Sequence, residues 1–60
     1  MTKKDYELIA RSIFVDRERT TEIEQKRVID YISKGLAEQF SAMNPRFDSV
    51  RFLKACGVIY

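Results

Sequence analysis

The sequence has no histidine and no tryptophan, one cysteine, one proline and two glycines in 60 residues. Without histidine there is no Ser-His-Asp or Cys-His nucleophile, no His-ligated zinc and no histidine pH switch. A lone cysteine, Cys56, forms neither an internal disulfide nor a zinc ribbon. Two glycines, Gly35 and Gly57, cannot build a phosphate-cradling loop. The acidic pairs Asp16/Glu18 and Glu22/Glu24 are two residues apart in charged sequence, so on a helix they do not face each other as catalytic or metal-binding pairs would. These absences argue against an enzyme, a cofactor and a metal site. Nor does any run approach the ~20 uninterrupted apolar residues of a membrane span. The start, Met1-Thr2-Lys3-Lys4-Asp5, leads into no apolar signal core. With a single unpaired cysteine, this predicts a reducing cytosol.

Charge is mixed rather than one-sided. Eleven Lys+Arg stand against nine Asp+Glu, a net +2. The first thirty residues balance at seven against seven, and the last thirty hold four against two. That weak positive excess hints at an anionic partner without being a nucleic-acid signature.

The apolar pattern predicts an all-α chain, a single small domain over residues 1–60 with short, long and short helices at about 3–14, 22–43 and 49–56. Thr2 with Asp5 starts the first helix, and Tyr6, Ile9, Ala10, Ile13 and Phe14 form its core face. Leu8 and Val15 lie on a second face. Asp16–Arg19 is expected to be a solvated loop or frayed helix end. Thr21 with Glu24 is a capping-box pattern for the second helix, whose expected core stripe is Val28, Ile29, Ile32, Leu36, Phe40 and Met43. Tyr31, Gly35 and Ala42 flank that stripe beside Val28. Gly35 is a point of close approach for another helix, a tolerated exposed glycine, or a bend. In the third helix Asp48 is the N-cap, Phe47 and Phe52 have staple spacing, and Gly57 suits a left-handed C-terminal turn closed by Val58. Phe52, Leu53 and Cys56 face the core, with Cys56 read as a small buried hydrophobe.

So short a chain buries little surface alone, and it carries apolar strips on more than one face. An intertwined or side-by-side homodimer is therefore expected, with Leu8, Val15, Val28, Tyr31, Gly35 and the tail residues Ile59 and Tyr60 at the interface. Arg46, Arg51 and Lys54 are the candidate partner-binding residues, a small basic patch for phosphates or carboxylates.

The stretch Asn44-Pro45-Arg46-Phe47-Asp48, continued by Arg51-Phe52 and Ala55-Cys56-Gly57, is the most specific in the chain. With the Lys3-Lys4-Asp5-Tyr6 start, it resembles a family of very short bacteriophage proteins. The likeness is close over residues 44–57, loose over 3–10, and one of character only between them. Short phage proteins of this appearance include inhibitors of bacterial anti-phage systems, and the likeness points to the inhibitor of the Hachiman defence system. It implies a non-enzymatic homodimer that binds a host defence protein in the bacterial cytosol. The alternative is a small nucleic-acid-binding or transcription-modulating module that uses the basic face of the third helix. Asp48 at that helix start and the low net charge weigh against it.

Overall fold

The computed structural model describes residues 2–59 and contains, among them, three helices: α1 (Lys3–Arg19), α2 (Ile23–Met43) and α3 (Ser49–Ala55). Tyr6 meets Phe40 at one end of the α1/α2 pair and Arg17 meets Asp30 at the other, so the two helices run antiparallel. The short α3 packs on both.

α1 begins where its cap dictates. The Thr2 hydroxyl accepts from the Asp5 amide at 3.4 Å, and the Asp5 carboxylate accepts from the Thr2 amide at 2.9 Å. Its far end corrects the sequence reading. Asp16–Arg19 is helix, not loop, because Arg17 donates to Asp30 of α2 at 2.7 Å and holds the last turn down. The Thr20 hydroxyl then closes that turn on the Asp16 carbonyl at 2.8 Å. Only residues 20–22 are left as a connection. α2 therefore opens later than expected, with Glu22 as its N-cap and no side-chain capping bond. The Thr21/Glu24 capping box does not form.

The second connection follows its residues closely. Pro45 disfavours helix before it, and the Asn44 carboxamide accepts from the Arg46 amide at 3.1 Å to start the turn. Asp48 caps α3 by accepting from the Arg51 amide at 3.0 Å. α3 ends in a Schellman motif. The Val58 amide donates to the Leu53 carbonyl, the Gly57 amide donates to the Lys54 carbonyl, and Gly57 takes φ +79°.

The core is a ring cluster with small residues around it. Phe40 lies 4.9, 5.4 and 5.5 Å from Tyr6, Phe47 and Phe52, and Phe47 lies 5.5 Å from Phe52, the edge and tilted geometries that aromatic rings favour. Ala10, Ala37 and Cys56 are buried beside them. Here the structure corrects the expected α2 stripe. The buried residues of α2 are Ser33, Ala37 and Phe40, while Val28, Ile32 and Met43 are 58, 54 and 70 % exposed. The helix is rotated so that its small residues meet α1 and α3. Ser33 is tolerated at 0 % exposure because its hydroxyl donates to the Ile29 carbonyl at 2.7 Å.

Candidate functional site

Two surfaces carry features that the fold itself does not use. The first is a hollow between α1 and α3, with a volume of about 320 Å³. The Asn44 turn and the Asp48 cap set where α3 begins, and its packing brings Arg51 and Ala55 opposite Lys3, Glu7 and Ala10 of α1. Two small residues facing each other, Ala10 and Ala55, leave the space open. Tyr6, Phe47 and Phe52 supply its apolar lining, and Lys3, Arg46 and Arg51 supply cations.

This arrangement revises the expected basic patch. Arg46 and Arg51 share the hollow, whereas Lys54 lies outside its lining and projects to solvent. Lys3 from α1 joins the two arginines instead. The sequence reading missed Lys3 and Glu7 as groove residues. Their spacing of four places them on one edge of α1, but only the docking of α3 turns that edge into a wall. Two carboxylates, Glu7 and Asp48, also line the hollow, and Asp48 is committed to capping.

The second surface is the back of α2. At 100° per residue, Val28, Gly35 and Ile32 stand about 180°, 160° and 140° from buried Ala37. Tyr31 and Met43 border the same strip and are 81 and 70 % exposed. Gly35 is exposed within it, and a Cβ at Gly35 would meet nothing within 4 Å. Of the residues expected at a dimer interface, Val28, Tyr31 and Gly35 are thus brought together. Exposed Leu8 and half-buried Val15 share the back of α1, about 140–160° from buried Ala10, and face away from the α2 strip. Ile59 is half-buried and Tyr60 lies outside the described residues. Val58, by contrast, packs on the core of its own chain.

Cys56 is not part of either surface. Burial pushes its thiol up to about 11, and hydrogen bonding with Ser33 works against that shift. A thiol so placed stays protonated and unreactive at neutral pH. At the other end of the molecule, Asp5 is held below the usual carboxylate range by its hydrogen bonds to Thr2, the backbone bond first. Among the described residues no cluster of three or more Cys, Asp or Glu is placed to hold a metal ion. Nor, among them, is any helix long and apolar enough to cross a membrane. Comparison with family models, with curated proteins and with solved structures finds no match, so the two surfaces are read on their own geometry.

Proposed function

We propose that the chain is a phage-encoded, non-enzymatic protein that works as a homodimer in the host cytosol and inhibits a component of a bacterial anti-phage defence system by binding it. The observation that carries this reading is the bare apolar strip on α2. Val28, Tyr31, Ile32 and Met43 are all more than half exposed along a helix about 32 Å long. An exposed apolar strip on so small a molecule, broken by Gln39, marks an interaction site.

The strip suits a second copy of itself. Its bulky residues, Val28, Tyr31 and Ile32, precede Gly35, and its slimmer or more flexible ones, Gln39, Ala42 and Met43, follow it. An antiparallel α2 pair crossing at Gly35 sets the bulky half of each strip over the slender half of the other, as a two-fold interface requires. Residues 44–57 supply the target class through their likeness to short phage proteins, with the Hachiman system as the named candidate. The nucleic-acid reading has less support, because Glu7 and Asp48 stand among the cations of the hollow and would repel a phosphate backbone.

Light scattering at micromolar concentration tests the dimer, which has twice the 7.1 kDa chain mass. Ile32→Lys should give a helical monomer, and a wild-type chain that stays monomeric throughout sinks the dimer. Phage plating on cells carrying the Hachiman system tests the target. Expression of the chain should restore plaques, and unchanged protection would remove that target.

A further inference from the structure

We propose that the hollow between α1 and α3 is the docking site for an acidic protein segment. One bulky apolar side chain of the partner enters the hollow, and carboxylates beside it meet Arg46, Arg51 and Lys3. This rests on the reading of the chain as an interaction protein and supplies the chemistry of its partner.

The size comes first. About 320 Å³ is at the small end of ligand pockets, which span about 300–1,000 Å³, and it suits one large side chain. The chemistry of the walls agrees. Half-buried Tyr6 and Phe47 offer aromatic surface, buried Ala10 and Phe52 lie beneath it, and the small side chain of exposed Ala55 leaves the entrance clear. Such an apolar recess under a polar rim is how interface anchors are held.

The rim decides the charge of the partner. Six residues of the 44–57 stretch have tasks in the fold. Pro45 stops α2, Phe47 and Phe52 join the ring cluster, Asp48 caps α3, Cys56 is buried and Gly57 makes the left-handed turn. The guanidinium groups of Arg46 and Arg51 have no such task. Both residues use their backbone amides in turn and cap hydrogen bonds, while their side chains are exposed. Among the described residues the ion pair is Arg17 with Asp30, so neither Arg46, Arg51 nor Lys3 is neutralised by a carboxylate within 4 Å. A guanidinium fork matches a carboxylate with two parallel hydrogen bonds. The carboxylates of Glu7 and Asp48 break up the positive surface. That favours discrete acidic side chains over a continuous phosphate chain.

The test is an amide NMR titration of the full chain with 4-phenylbutyrate, an aromatic ring carrying one carboxylate. Parallel titrations use 4-phenylbutyramide, butyrate and a short thymidine oligonucleotide at the same salt. The expected result is shifts at Ala10, Arg46, Phe47, Arg51 and Ala55, with phenylbutyrate binding about tenfold more tightly than the amide or butyrate. Arg46→Gln with Arg51→Gln should reduce phenylbutyrate to the affinity of the amide while the rest of the spectrum is unchanged. Ala55→Leu, which fills the hollow from an exposed position, should abolish binding of both. Equal affinity for acid and amide, or shifts centred elsewhere, overturns the proposal. Tighter oligonucleotide binding at the same amides also overturns it and makes the hollow a nucleic-acid site. Dimer mass and plaque restoration are read separately, so loss of the docking site and loss of the wider function are distinguishable.

Discussion

Replacing Gly35 with alanine should stabilise the fold and weaken self-association at once. Position 35 is deep inside α2, where glycine costs about 0.8–1 kcal/mol relative to alanine. The added methyl group meets nothing within 4 Å in the single chain, so no packing cost offsets that gain. At about 0.05–0.15 kcal/mol per residue, 60 residues imply a total stability of about 3–9 kcal/mol. A gain near 1 kcal/mol is a sizeable fraction of it and should raise Tm by about 4–8 °C. Gly57→Ala is the matched control with the opposite sign. Its φ of +79° disfavours any side chain, and a Cβ there would lie 2.9 Å from the Phe14 ring. The left-handed geometry alone costs about 1–2 kcal/mol. Urea unfolding followed by far-UV circular dichroism, at a concentration low enough for monomer, reads both variants. The slope should be unchanged and only the midpoints should move. At higher concentration, light scattering should show a weaker Gly35→Ala dimer, because the methyl group stands where the second helix crosses. A lower midpoint for Gly35→Ala in the monomer would refute the open environment of α2 at that residue. A stabilised monomer with undiminished association would refute the crossing at Gly35.

Phe40→Ala should cost about 3–5 kcal/mol, enough to unfold much of the population, since its ring contacts three others; a shift of the urea midpoint worth less than about 1 kcal/mol would contradict the ring cluster as the core. Asp30→Asn should cost only about 1 kcal/mol or less, because the side chains of Arg17 and Asp30 retain 17 and 26 % exposure. Its signature is local: amide exchange should speed up at residues 17–20, and exchange that quickens only on global unfolding would show that the pair does not hold the last turn. Cys56 should resist alkylation at pH 8 in the native chain and react readily in urea, with equal rates refuting its burial. Because its folded pKa of about 11 lies above the ordinary thiol value of 9.0, the folded state holds this proton more tightly than the unfolded state. Stability from this group is therefore intact below pH 9 and falls as pH rises from 9 through 11. A titration of unfolding free energy that is flat over that window would count against it.

Local signals in the sequence carried a good deal of this protein. Thr2 with Asp5, Asn44-Pro45, Asp48, the Phe47/Phe52 spacing and Gly57-Val58 each act through hydrogen bonds or contacts a few residues away, so their roles were legible without any tertiary knowledge. The same holds for the all-α class and the order of the helices. What failed in the reading was long-range. The Asp16–Arg19 segment looked like loop because its charges found no partner in the local sequence, and Asp30, thirteen positions beyond Arg17, supplied one. The core face of α2 was misassigned because hydrophobicity alone ranks Val28, Ile32 and Met43 above Ser33 and Ala37. Close helix packing favours the small residues, and Ser33 satisfies its hydroxyl within its own helix. That rotation is what leaves the apolar strip on the outside. The hollow was likewise divided in the sequence between Lys3–Ala10 and Asn44–Ala55. The sequence by itself determined where each helix is capped and what each could present. The angle at which α3 closes on α1, and the face α2 turns inward, were decided only by how the side chains pack, because no local bond specifies them.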